Sequence, residues 1–465
     1  MTARNGHRRL LAAAALLLAW LPTAAAQDAP QPAQPDQEAA AAASRTEVAA
    51  LLARAPEHPA VRAALASLEA ARSQLRAARS PVRFEVSSAL TRLDVDDIDL
   101  DPITPGVQPL DRTLINVSAG LSFRPFAFGD IADLVDQREV AVAQAELDVR
   151  EALVSVQART LEAAFQLELT RSGVAVAEQG AALAREALAA TELRAQRGAA
   201  TDRDVREARA GLAEAENLLL DARQNQTLAE LTLRSLLGTD DLPEVDPGAF
   251  ALPRPAGEPV DVLRAGLGVR LAELGPRGAQ RALLPVAQAS YSFNLGEHDT
   301  LSLALESRTL QPSVTFSHEA QGRAFPQTEI RGALTVGVAW SISPEAIDAL
   351  AAAESQLEAA RLGLEAARQG AALRQEALLA AVEQAERALA LAQARFADAQ
   401  ARLAETRTRV DAGLATPLEL QSDALAVTRA QLELRSASLN VLGTTLDLYE
   451  LYALPLGTAP EAPAP

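Results

Sequence analysis

The residues of this 465-residue chain that could do chemistry are few, and their types and spacing exclude most of it. There is no cysteine, which removes thiol nucleophiles, disulfide frameworks and thiolate-bound zinc or iron–sulfur centres. Past the N-terminal segment the histidines are His58, His298 and His318, too far apart in sequence for metal-ligand spacing on one element. Gly266-Leu267-Gly268 opens like a dinucleotide loop but lacks the third glycine and a preceding strand. Paired carboxylates such as Glu383 and Glu386 follow a helical pattern and read as a solvated face. No catalytic, cofactor or metal site is expected, and the chain is not expected to be an enzyme. What remains is acidic. Asp204 and Glu419 stand at matching places just past two sharp breaks in helical pattern, with Glu207 and Asp423 about one turn further on. Carboxylates around a narrow passage concentrate cations. The competing role is plainer: an acid in a helix's first turn caps it and is favoured by the dipole.

The elements that must position these residues are long. The chain is 49% hydrophobic but only 3% aromatic, and its apolar half is largely Ala, Leu and Val. Such a composition lacks the bulky side chains of ordinary globular cores and favours closely packed helices. All 43 basic residues are arginine, the net charge is −18, and no basic cluster lies beside aromatics, so nucleic acid is not an expected partner. Arg4, Arg8 and Arg9 precede the apolar run Leu10 to Leu21, and Ala24-Ala25-Ala26 follows. Residues 1–26 therefore read as a signal peptide cleaved before Gln27, with 27–43 a flexible Pro/Ala/Gln leader. A short N-terminal anchor is the alternative, although the run falls well short of ~20 apolar residues. No later stretch has the length of a membrane-spanning helix, so any insertion is expected as β-structure.

From Ser44 to Arg79 apolar residues recur at helical spacing, interrupted at His58-Pro59. The period then drops to two. Val82, Phe84 and Val86 alternate with Arg83, Glu85 and Ser87; after an Asp/Pro-rich loop at 94–112, Ile115, Val117, Ala119, Leu121 and Phe123 alternate with small and polar residues. Asp130 to Arg197 contains no proline. Its stripes Val140-Leu147-Val154-Leu161 and Val142-Val149-Val156-Ala163 lie about 200° apart, which predicts a helix packed between two neighbours rather than along a single coiled-coil seam. Gly198-Ala199-Ala200-Thr201 ends it, and a second helix is expected over Asp202–Leu237.

The order then repeats. A helix is expected over 259–284, with Pro259 suited to its start, then a strand at Ala287, Ala289, Tyr291 and Phe293 and a last strand at Leu334, Val336, Val338, Trp340 and Ile342. A long helix from Pro344 breaks at Gly413-Leu414-Ala415-Thr416, and a shorter one ends near Tyr452. The breaks are offset by 413 − 198 = 215 residues, which also sets Asp204 onto Glu419 and Ala215 onto Ala430. Chance likeness among Ala-rich helices is the alternative; the repeated order of elements favours duplication, with a first repeat at 44–238, a linker at 239–258, a second repeat at 259–455 and a tail at 456–465. Each long helix would reach ~100 Å, and the two shorter helices of the first repeat would together match it. A layer follows in which a two-piece helix lies beside each continuous one. Neither its flanks nor its strand edges can be covered within one chain, so a closed oligomer is expected. Phe84, Phe123, Phe126, Phe128, Tyr291, Phe293, Phe316, Phe325 and Trp340 all fall in or beside the strands, as interfacial girdles require. A soluble sheet capped by helices is the rival arrangement.

At this point the chain resembles the TolC family of outer-membrane efflux and secretion channels. The residues that carry the resemblance are His58-Pro59, Arg124-Pro125-Phe126-Ala127-Phe128-Gly129, Leu236-Leu237-Gly238, and Asp411 to Leu420 at the second break, over roughly 44–455. The resemblance implies a mainly α chain with a β-barrel part: a homotrimer whose barrel in outer-membrane lipid continues as an α-helical barrel across the periplasm. It also implies docking to a periplasmic adaptor and an inner-membrane RND, ABC or MFS transporter, with no cofactor. In a trimer Asp204 and Glu419 would supply six carboxylates at the narrow end.

Three departures stand out. Family channels give four strands per chain, yet Leu301, Leu303 and Leu305, then Val314 and Phe316, alternate like an extra hairpin, which leaves six strands per chain or a folded external loop. The helix at 259–284 is short for its role. Val410 and Ala415 stand where a tyrosine and an arginine help hold some members shut, so that network is not expected.

The resulting expectation is a passive exit duct of a tripartite efflux pump or type I secretion system, with residues 85–123 and 286–342 in the membrane and loop 94–112 outside. Gly198, Thr201, Gly413 and Thr416 are expected at a periplasmic tip that meets the adaptor. The alternatives are a periplasmic adaptor, which needs a compact lipoyl-like domain that strand pairs here replace, and a structural envelope coiled coil, which has no use for alternating aromatic strands.

Overall fold

The computed structural model describes residues 48–93, 112–124, 126–240, 242, 252–296, 298–319 and 332–456. The expected signal peptide, the leader, loop residues 94–111, Phe325, most of the linker and nearly all of the tail lie outside them. Residues 48–53 are helical. His58 then caps helix α1 (Pro59–Ala78), its ring nitrogen accepting from the Ala60 amide at 3.2 Å while Pro59 takes the first helical position. Strands β1 (Val82–Leu93) and β2 (Arg112–Phe123) follow, then the 67-residue helix α2 (Asp130–Gln196) and helix α3 (Asp202–Leu237).

The second repeat begins with α4 (Val260–Ala272) and α5 (Leu274–Ala282) rather than one unbroken helix over 259–284. Pro276 is the reason: its ring opposes the carbonyl four residues back, Ala272, where α4 stops. Strands β3 (Val286–Asn294), β4 (Asp299–Glu306), β5 (Pro312–Glu319) and β6 (Gly332–Ala339) precede the 68-residue helix α6 (Pro344–Asp411) and helix α7 (Pro417–Tyr452). The last strand ends before Trp340 and Ile342, although the alternation runs on through them. Its ladder partner β3 begins only at Val286, opposite Ala339, and Trp340 instead donates its indole N–H to the Leu283 carbonyl at 3.0 Å.

The helices form one row. α3 and α1 both pack on α2, α2 packs on α7 and α4, and α7, α4 and α5 pack on α6. The two-piece partners of each continuous helix are thus α1 with α3, and α4 and α5 with α7, as the matched lengths predict. The main core sits midway along α2, where these pieces change over: Val154, Leu161, Phe165 and Leu167 are buried against Leu233 of α3 and Leu446 of α7. Burying Phe165 and these leucines contributes roughly 1.5–3 kcal/mol each. The changeover is stitched by the Leu456 amide donating to Gln157 at 2.9 Å and by the Tyr449 hydroxyl donating to the Pro253 carbonyl at 3.0 Å.

All six strands lie in one antiparallel sheet of order β1-β2-β5-β4-β3-β6. The extra hairpin is therefore part of the sheet, between the strand pairs of the two repeats, and not an external loop.

Candidate functional site

Two regions could act on something outside the chain: the sheet and the far ends of the long helices. The sheet's registers align complete rows. Phe84, Leu121, Val314, Leu303, Tyr291 and Leu334 stand opposite one another across all six strands, and the next row, on the other face, is Glu85, Gly120, Thr315, Ser302, Ser292 and Ala333. Because side chains alternate along each strand, one face is largely apolar, broken by the row that holds Ser88, His318 and Asp299, and the other is small and polar. Ser87 and Ser118 share a hydrogen bond of 2.7 Å on the polar face. The apolar face is open: Phe84 is 67% and Leu334 68% accessible in the single chain. Phe84, Phe123, Tyr291, Phe293 and Phe316 all fall on it by register. Among the described residues no helix is long and apolar enough to cross a membrane.

Where sheet meets helices, Gly129 adopts φ +59°, and a Cβ there would stand 2.0 Å from the Arg308 carbonyl oxygen. Arg308 lies in the β4–β5 turn and pairs with Asp130 at 3.5 Å, while Arg281 pairs with Asp133. The Arg124-to-Gly129 motif marks this junction in the sequence, but its ionic partners could not be read there because they come from another repeat.

At the opposite end the two breaks share one geometry. Gly198 (φ +71°) and Gly413 (φ +72°) close their helices with paired bonds: Gly198 N–H to Ala195 O at 2.9 Å and Ala199 N–H to Arg194 O at 2.8 Å, matched by Gly413 to Val410 at 2.9 Å and Leu414 to Arg409 at 2.7 Å. Thr201 and Thr416 then cap the next helices through capping boxes. Asp204 accepts the Thr201 amide at 2.7 Å and its hydroxyl at 2.9 Å; Glu419 accepts the Thr416 amide at 2.8 Å. The bond from the Thr201 amide, then that from its hydroxyl, hold the Asp204 carboxyl below the usual range. Both acids are exposed, so the capping role is real and a role toward solvent remains open to them. Glu207 is exposed one turn on. Asp423 is engaged differently, because it accepts from the buried Thr406 hydroxyl at 2.6 Å and ties α7 to α6. Among the described residues there is no cluster of His, Asp and Glu that could hold a metal ion.

The row of helices also leaves two flanks bare. On α6, Leu362, Leu373 and Leu391 share one stripe by their spacing and are 58%, 70% and 53% accessible. Leu373 lies about 200° around the helix from buried Ala371, and Leu391 about 180° from buried Val382. On α3, Leu220 and Leu231 stand in the same relation to buried Ala229. They are not the doubled stripes read at 130–197, which lie on α2, a helix that packs on both sides within the chain.

The sequence model of the family "Outer membrane efflux protein" matches residues 50–239, less than half of the chain. Among solved structures, a membrane protein from Pseudomonas aeruginosa is similar over 87% of this chain and 90% of its own, at TM-score 0.62 and 19% identity. The outer membrane protein VceC of Vibrio cholerae is similar over 88% and 96% (TM-score 0.61, 17% identity), and the CmeC outer membrane channel of Campylobacter jejuni over 87% and 85% (TM-score 0.61, 15% identity). At such identities the likeness is one of fold, and it extends across both repeats. No curated protein sequence matches the chain.

Proposed function

We propose that the chain is the exit duct of a tripartite efflux pump or type I secretion system, a homotrimer that passively conducts what an inner-membrane transporter delivers. The observation that carries this reading is the coincidence of bare edges. The sheet ends at β1 and β6 and the helix row at α1 with α3 and at α6; β1 follows α1 and β6 precedes α6, so sheet and row are incomplete at the same two sides. Copies placed side by side cover both, with the leucine stripes of α6 and α3 as their seam and the apolar sheet face toward lipid. An adaptor or an envelope coiled coil has no use for a six-stranded sheet with one largely apolar face.

In this reading the signal peptide directs export, loop 94–112 lies outside the cell, and the helices reach ~100 Å into the periplasm. Gly198, Thr201, Gly413 and Thr416 form the tip that meets the adaptor, and Asp204 and Glu419, with Glu207 near them, face the constriction. Expression of the full chain with fractionation tests the core claim: heat-labile trimers are expected in the outer-membrane fraction, and a soluble periplasmic monomer would overturn it. Crosslinks from cysteines at Thr201 or Thr416 should reach the adaptor, whereas crosslinks confined to the strand loops would reverse the orientation.

A further inference from the structure

We infer that three copies close an eighteen-stranded barrel, with the β4–β5 hairpin built into its wall, in place of the four strands per chain that the family resemblance implies. The inference rests on the trimeric duct reading and adds the architecture and width of its membrane wall. Three copies of a six-stranded sheet give eighteen strands only if every strand is wall, and the hairpin meets each requirement. Leu303 and Val314 stand in the same apolar row as Phe84, Leu121, Tyr291 and Leu334, and Ser302 and Thr315 in the same polar row as Gly120 and Ser292. A plug or surface flap would not keep both faces in step with four other strands. Its inner turn is also fixed to the helices: Ser307 exchanges bonds of 2.8 and 2.9 Å with Ala287 at the start of β3, and Arg308 pairs with Asp130 at the start of α2.

Direction and girth agree. Every neighbouring pair in the sheet is antiparallel, so the two edge strands, β1 and β6, run in opposite senses and a β1 edge fits the β6 edge of the next copy by the same antiparallel pairing. Four helical positions per chain at the sheet end, α1, α2, α4 with α5, and α6, set about 8–10 Å apart, make a ring of roughly 95–120 Å around for three chains. Strands about 4.8 Å apart and tilted about 40° take roughly 6 Å of girth each, so eighteen give about 110 Å and twelve only about 75 Å. The hairpin brings the wall to the girth of the helices beneath it. The passage then does not narrow at the membrane, and its inner surface there is the hydroxyl-rich face that includes Ser87, Ser118, Thr315 and Ser302.

The test is a count. In a three-fold map of the full-length trimer in lipid nanodiscs, eighteen strands are expected; twelve strands, or a hairpin folded outside or within the barrel, would overturn the inference while leaving the duct reading intact. Because the chain has no native cysteine, Ser118→Cys with Ser317→Cys gives a second readout of the wall inside one chain, since the two residues are direct neighbours between β2 and β5. Oxidation should link them within monomeric chains on denaturing gels. Trimers without that link would remove the hairpin from the wall. If no trimer forms, the duct reading fails and the eighteen-stranded closure with it, and the same link then reports whether the six-stranded sheet itself stands.

Discussion

At the tip the two repeats are held by corresponding bonds; at the sheet they are built differently. Gly198 and Gly413 share their φ to within a degree, and each is followed by a threonine cap with an acid three residues on. The upper ends diverge: α1 enters its strand unbroken, whereas α4 and α5 split at Pro276, and only the second repeat carries the added hairpin. The difference follows from what fixes each region. A turn between helices must satisfy a set of orphan backbone groups, so few sequences close it. A sheet asks only for alternation and an antiparallel neighbour, so a hairpin can be added in pairs of strands without changing the sense of any other strand.

The comparison breaks first at glycine. Gly129→Val puts a branched side chain at φ +59° and directly against the Arg308 carbonyl oxygen. A cost on the order of 3 kcal/mol or more is expected, because neither backbone can yield without separating the hairpin from α2. Heat-labile trimers should be lost and the β4–β5 turn should become open to protease. Native-like trimers would show that the junction has slack.

Much of this was legible beforehand, for local reasons. The helices Asp202–Leu237 and Pro344–Asp411 and the end of α7 at Tyr452 follow from caps, glycine breaks and proline placement, which act within a few residues. Strand order was not legible. Alternation at Leu301, Leu303 and Leu305 announces a strand but not its neighbour, and nothing local says that β5 lies beside β2 across nearly two hundred residues of chain. The end of β6 was misplaced for the same reason, since a strand stops where its partner stops and not where its alternation does. At the candidate site the capping acids were foreseen, while the Thr406–Asp423 bond joins residues on two helices and left no mark in either.

The next effect belongs to the helix flanks. Leu373 is 70% accessible in the single chain, so Leu373→Glu should cost an isolated chain little. Three buried and unpaired carboxylates in a closed ring should instead abolish or greatly weaken the trimer. Native mass measurement of detergent extracts checks this, with Glu354→Gln, on an exposed part of the same helix, as the neutral comparison. An unaffected trimer would place the seam elsewhere.

At the tip smaller changes are expected, and they should come in equal pairs. No neighbour stands within 4 Å of a Cβ built at Gly198 or Gly413, so Gly→Ala at either position meets only the cost of its positive φ, about 1 kcal/mol. The two variants should lower the thermal midpoint alike. A marked inequality would mean that one turn is engaged by something the other is not.

The smallest expected change in stability carries the most information about function. Asp204 and Glu419 each cap a helix, and Asn or Gln in their place keeps an oxygen for the Thr201 or Thr416 amide while removing the charge. The double variant Asp204→Asn with Glu419→Gln should therefore keep its trimers and lose only a few tenths of a kcal/mol at neutral pH. Its acid response should differ from that of the parent. Hydrogen bonds from Thr201 lower the folded-state pKa of Asp204, so its contribution is present above the unfolded value and is lost as pH falls through the lowered folded value. Asn carries no such dependence, and stability below about pH 4 should fall less steeply. Conductance separates the two roles. If these carboxylates also face the constriction, the parent should be cation-selective in planar bilayers and blocked by multivalent cations from the tip side, and the double variant should lose both properties together. If selectivity is unchanged while the acid response shifts, the acids are caps alone, and the tip is as neutral to its cargo as the hydroxyl-lined sheet at the other end.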